Sequence, residues 1–181
     1  MRRTRIWFTL AIFVGVGIAS SALARQWNAT PQVKAREYLI IQDQRSNNEI
    51  VVVFWIAPQA FVPGPDTKQT KRILEDYLLV GIVHANTNHL GEMSFRKLSN
   101  LNLKPFQGGV KSALDKQNLP PAVAAVVTAS ERIFTQNFGK MGTGTTWFVF
   151  DGKFNQSCGK GGFWVPYAGA NYDYRTPVPG C

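Results

Sequence analysis

The chain has 181 residues, 45% of them hydrophobic and 17% charged, with a formal net charge of +9. That length suits one domain with a real hydrophobic core. The basic excess is scattered, with no basic run interleaved with aromatic residues, which argues against nucleic acid as a partner.

The first two dozen residues read as an export signal. Arg2, Arg3 and Arg5 form a basic n-region, Ile6 to Ile18 carry no charge, and Ala22-Leu23-Ala24 is the A-x-A pattern that a signal peptidase cuts. The apolar core is shorter than the roughly 20 residues of a permanent membrane helix, and no later segment is apolar enough to span. The expected organisation is a signal peptide at 1–24 and a single α+β domain at 25–181, located in the periplasm or secreted. Three arginines leave with the signal, so the mature charge is about +6.

After a polar lead from Arg25 to Lys34, Glu37 to Gln44 and Glu49 to Ala57 are strand-like runs joined by a polar Arg45-Ser46-Asn47-Asn48 connection, a β-hairpin pattern. The second run is apolar on both alternating faces, as in a strand covered on both sides. Pro58, Pro63, Gly64 and Pro65 stop it. Asp66 and Gln69 form a capping-box-like pair opening a helix, with Thr70, Ile73, Leu74, Tyr77 and Leu78 at helical spacing. The basic residues Lys68, Lys71 and Arg72 on that helix read as a solvated face. Val80 to Ala85 is a strand, and Glu92 to Leu98 with Leu101 and Leu103 is a further strand or pair of short strands, giving a second hairpin.

From Pro105 to Asn118 the pattern is weak, with a short turn of helix at Val110 to Lys116. Pro120 and Pro121 then fit the first turn of a helix over Ala122 to Phe138, ended by Gly139. Val123, Val126, Val127, Ser130, Phe134 and Asn137 share one face of it. Gly142 to Gly144 breaks the chain before a strand at Thr145 to Phe150, and Asp151-Gly152 is a turn returning the chain through Lys153 and Phe154. The order β-β-α-β-β-α-β implies an α+β fold, a mainly antiparallel sheet with two packed helices. Ser157 to Cys181, rich in glycine, proline and aromatic rings, reads as an irregular tail. Cys158 and Cys181 are the one cysteine pair, expected to form a disulfide in an oxidising compartment. Closing about 22 residues, it contributes roughly 3 kcal/mol by loop entropy.

Few motifs carry chemistry. His84, His89 and Glu92 are candidate ligands of a divalent metal, the only cofactor the sequence raises, although their spacing matches no specific metal motif. Ser94, Ser99, Ser112, Ser130 and Ser157 lack the G-x-S-x-G elbow of a serine nucleophile. Glu75-Asp76 falls on a solvated helix face. The glycine-rich stretches 139–144 and 159–162 lack the strand-loop-helix context of a phosphate loop and read as turns. Asn28-Ala-Thr30 and Asn155-Gln-Ser157 are chance matches to the glycosylation pattern in what resembles a bacterial exported chain.

The tail is the candidate binding surface. Phe163, Trp164, Tyr167, Tyr172 and Tyr174 supply flat rings with large contact area at small entropy cost, preorganised by the disulfide. Packing of the same rings as a satellite core is the competing expectation. The sequence thus points to an exported, non-enzymatic binding or accessory module for a protein, peptide or envelope polysaccharide. The alternative is a cell-envelope hydrolase, in one form metal-assisted through His84 and His89.

Overall fold

Strands that are apolar on both faces need cover on both sides, and two such strands organise this molecule. A computed structural model describes residues 31–61, 64, 67–154 and 156–181; the expected signal peptide, Asp66 and Asn155 lie outside them. In chain order the elements are α1 (Pro31–Tyr38), β1 (Ile40–Ser46), β2 (Glu49–Ile56), α2 (Lys68–Asp76), β3 (Tyr77–Thr87), β4 (Met93–Phe95), β5 (Asn102–Pro105), β6 (Lys111–Ser112), α3 (Pro121–Phe138), α4 (Lys140–Gly144), β7 (Thr146–Asp151), β8 (Gly161–Tyr167) and β9 (Ala170–Thr176). The architecture is α+β, with two antiparallel sheets and a set of helices.

The larger sheet runs β1-β2-β3, and one edge of β3 is shared by two strands. Its first half pairs with β7, from Tyr77↔Asp151 to Ile82↔Thr146, and its second half with β4, from Ala85↔Phe95 to Thr87↔Met93. Val51, Val53, Trp55, Leu78, Val80, Ile82, Phe148 and Phe150 fill one side of this sheet and pack against the smaller sheet. Leu79, Trp147 and Val149 lie on the other side under α2 and α3, with Val52, Phe54 and Val83 beside them. Gly81 is required at the centre of β3, because a Cβ there would stand 2.8 Å from the Trp147 ring.

The α3 helix forms as its pattern demands: Val123, Val127 and Ser130 are buried, Pro121 stands in the first turn, and Gly139 ends it at φ 52°. Phe134 meets Phe54 and Trp147 edge-on, with centroids 4.9 and 4.7 Å away. The expected break at Gly142 to Gly144 is instead the short α4 turn, in which Gly142 lies directly on the Phe134 carbonyl, leaving no room for a side chain. Two further expectations change. The polar lead ends in helix α1, and the segment expected to turn helically at Val110 to Lys116 holds strand β6 and a 3-10 turn at Lys116–Asn118.

The tail differs most from its reading as an irregular loop. Its strands β8 and β9 pair from Gly161↔Thr176 to Tyr167↔Ala170, and β8 also pairs with β5, giving a second sheet in the order β6-β5-β8-β9. Ala168 and Gly169 make the two-residue connection with φ of 49° and 82°, the double left-handed geometry that matches strand twist in a tight hairpin. Pro166 sits in β8 beyond its pairing with β5, where no ladder hydrogen bond is lost toward that side. Phe163, Val165, Tyr172 and Tyr174 point inward to the shared core. Cys158 and Cys181 form the disulfide, with Cα atoms 5.3 Å apart, an ordinary Cα separation for a bridge. A disulfide fits an oxidising, exported environment, and no helix among the described residues is long and apolar enough to cross a membrane.

Candidate functional site

Strand alternation divides the five tail aromatics between two faces. Phe163 and Tyr174 are completely buried: the Phe163 ring stacks on Tyr174 at 5.2 Å and meets Trp55 edge-on at 5.1 Å. The Tyr174 hydroxyl donates to the Val53 carbonyl at 2.9 Å, and burial lifts its phenol well above the usual tyrosine range. Tyr172 is also buried, and donates to Asp43 Oδ2 at 2.9 Å. Burial first, and the bond to Asp43 second, push its phenol up to about 12. These three rings are core, so they hold the smaller sheet in place and offer little to a partner.

Trp164 points the other way. Register places it between Lys104 on β5 and Asp173 on β9, on the outer face of the smaller sheet, where it is half-buried. Its ring lies 4.3 Å from that of Phe106, with the Lys104 ammonium 5.8 Å from the indole centroid. The Arg175 guanidinium stands 6.0 Å from the Phe106 ring and its Nε donates to Asp173 Oδ2 at 2.9 Å. The outer face is therefore an aromatic pair flanked by two exposed cations, Lys104 and Arg175.

The second feature is a polar chain between the sheets. His84 on β3 and Glu49 on β2 are diagonal neighbours on one face, because Glu49 pairs with Asn86. His84 is 1% exposed. Its Nε2 is 2.7 Å from Glu49 Oε1 and its Nδ1 is 2.7 Å from the Tyr167 hydroxyl, at the end of β8. A carboxylate only accepts, so in neutral His84 Nε2 carries the hydrogen, Nδ1 offers its lone pair, and the Tyr167 hydroxyl donates to it. Burial raises the Tyr167 phenol above the ordinary tyrosine value, against the lowering effect of Arg96 and Arg45, and Glu49 adds to the rise. The phenol is therefore protonated at neutral pH, as the donor role requires.

Tyr167 also borders an open groove of about 500 Å³ lined by Arg96, Lys97, Ser99, Asn102 and Pro166 among others. A second groove, bordered by Asp76, Tyr77, Leu114, Asp151 and Lys153, holds acids and a lysine without a nucleophile and base in contact. The expected metal ligands do not converge. His84 is engaged at both nitrogens, His89 is exposed, and Glu92 accepts from the Asn88 side chain at 2.7 Å within the β3–β4 turn. Among the described residues no group of three or more His, Cys, Asp and Glu side chains is placed to hold a metal.

Sequence reasoning missed Glu49, Arg96, Lys104 and Phe106. Glu49 and Tyr167 stand 35 and 83 residues from His84, so no local spacing marks the chain they form. The outer aromatic pair was hidden likewise, since Phe106 and Trp164 meet only through the β5–β8 ladder. Compared with known proteins, the chain matches no family model, no curated protein and no solved structure.

Proposed function

We propose that this protein is an exported binding module whose contact surface is the outer face of β5, β8 and β9, and whose ligand is an anionic polysaccharide of the cell envelope. The observation that supports it best is the outward, half-buried Trp164 ring paired with Phe106 and flanked by Lys104 and Arg175. A flat indole contributes wide apolar contact at little entropic cost, which suits the apolar face of a sugar ring. The two cations supply charge-assisted hydrogen bonds to its carboxylate or phosphate groups. The disulfide and the hairpin preorganise the surface, so less ordering entropy is lost on binding.

The test is cosedimentation of the mature protein with purified peptidoglycan sacculi. Trp164→Ala and the double variant Lys104→Ala/Arg175→Ala are each expected to lower retention at least tenfold, with wild-type binding weakened by added salt. Undiminished retention by Trp164→Ala in folded protein refutes the surface, and capture of a protein rather than glycan refutes the ligand class. A second reading, a cell-envelope hydrolase, is favoured by one observation: Tyr167, which borders a groove, has its hydroxyl in hydrogen-bond contact with the buried His84. It draws on that pair rather than on the His84, His89 and Glu92 set.

A further inference from the structure

We propose that Tyr167 is the nucleophile of an acyl-transfer site in the groove, with His84 as its base and Glu49 orienting that base, acting on an ester that carries an anionic group. The inference rests on the hydrolase reading and is independent of the binding face.

Three observations carry it. The first is the direction of the chain: Glu49 fixes the hydrogen on His84 Nε2, which leaves Nδ1 as a base 2.7 Å from the phenolic oxygen. A nucleophile, a base and a group that orients the base is the arrangement that activates a hydroxyl. The second is that the phenolic oxygen, after donating to His84, makes no other hydrogen bond to the described residues, so its lone pairs are uncommitted. The third is the backbone. Ala168, next to Tyr167, is the one non-glycine residue with positive φ among the described residues, at 49°. That conformation belongs to the tight β8–β9 turn, and the turn leaves Tyr167 at the last paired position of β8, opposite Ala170. Arg96 and Lys97 line the same groove and give it the positive charge that an anionic substrate and a developing oxyanion both need.

The step balances without a further reagent. As Oη attacks the carbonyl carbon, its proton passes to His84 Nδ1, the Oη–C bond forms, and the carbonyl π pair moves onto oxygen. Collapse goes forward because the imidazolium, whose charge Glu49 offsets, protonates the departing oxygen as its bond to carbon breaks, so that a neutral alcohol leaves in place of the phenolate. Water then attacks the tyrosyl ester and gives its proton to Nδ1. The Oη–C bond breaks, releasing the acid, and the phenolate recovers its proton from His84. A phenolate leaves more readily than an unprotonated alkoxide, so that proton donation commits the first intermediate to product, and the tyrosyl ester is then the more readily hydrolysed of the two esters.

The experiment treats the mature, disulfide-bonded protein with 4-(fluorosulfonyl)benzoate, an anionic electrophile, and maps the modified peptides by mass spectrometry. Tyr167 is expected to react at least tenfold faster than N-acetyltyrosinamide. Glu49→Gln and His84→Gln are each expected to remove most of that advantage. Glu49 is only partly buried, so if His84→Gln fails to fold, Glu49→Gln with an unchanged melting temperature carries the test. Reaction no faster than the free amide overturns the proposal, as does an unchanged rate in both folded variants. Hydrolysis of an anionic 4-nitrophenyl ester separates the two levels. Turnover equal in wild type and Tyr167→Phe leaves a hydrolase but removes Tyr167 as its nucleophile, whereas no turnover together with fast labelling keeps the nucleophile and removes the hydrolase.

Discussion

Phe163 and Trp164 are neighbours in one strand, and replacing each by alanine should have opposite consequences. Phe163 is completely buried between Trp55 and Tyr174. Truncating a buried phenylalanine costs about 3–5 kcal/mol, including the cavity it leaves, and these two ring contacts place it toward the upper part of that range. For a domain of this size, about 1 kcal/mol moves the melting temperature by about 2–4 °C, so Phe163→Ala should melt roughly 10 °C or more below wild type. Trp164→Ala loses one tilted ring contact and one cation–π contact at a half-buried site, about 1–2 kcal/mol and roughly 5 °C. Thermal and urea unfolding of the oxidised protein measure both, while sacculus retention reads function. A Trp164→Ala loss equal to or larger than that of Phe163→Ala would mean that the indole belongs to the core, and the outer face would no longer stand as a contact surface.

Other outcomes follow from the same packing. Reducing the Cys158–Cys181 bridge should lower stability by roughly 3 kcal/mol, since it frees a loop of about 22 residues; an unchanged melting temperature in reductant would refute that contribution. Gly81→Ala should cost about 1–3 kcal/mol by overpacking, because its Cβ would press on Trp147, and a variant as stable as wild type would show that this contact relaxes freely. Tyr172 and Tyr174 hold their protons above the ordinary tyrosine value when folded. The native state therefore binds protons that the unfolded state releases, and stability present below pH 10 is lost as pH rises toward about 12. Phenolate absorbance should show these two groups ionising only together with unfolding; early ionisation in protein that keeps its near-ultraviolet circular dichroism would contradict their burial.

What the sequence made legible is what short-range periodicity encodes. Helix α3, strand β2 and the part of β3 from Val80 to Ala85 carry unmixed signals: a proline at the start, a glycine at the end and a helical stripe in one case, and apolar runs rich in β-branched residues in the other two. Boundaries moved where two patterns overlap. Tyr77 and Leu78 continue the stripe of α2 but also open the apolar run of β3, and pairing with β7 draws both into the sheet. The tail was obscured by composition. Tyr172-Asp173-Tyr174-Arg175 alternates as a half-buried strand should, yet the glycines at 162 and 169 and the proline at 166 are residues that ordinarily interrupt strands. They are tolerated because each has a place: Gly162 lies directly on the Tyr174 carbonyl and the Phe106 ring, Gly169 completes the turn, and Pro166 lies beyond the β5 ladder.

The site was less legible than the fold for a reason of topology. A helical or turn motif places its chemical groups within a few residues, so spacing reveals it, whereas here the groups come from strands joined only by sheet registers. Glu49 reaches His84 because β2 and β3 pair with Glu49 opposite Asn86. Tyr167 reaches it because the smaller sheet packs across the same core and its hairpin turns at Ala168. A single-residue slip of β8 would exchange its faces, burying Trp164 and turning Phe163 and Tyr167 outward. One register therefore governs both the outer aromatic surface and the inner proton path. Shortening the β8–β9 turn by deleting Ala168 should impair sacculus retention and Tyr167 labelling together, while Trp164→Ala should impair retention alone. Loss of labelling in Trp164→Ala with the fold intact would show that the two faces are not separable, and the division of roles by strand alternation would be wrong.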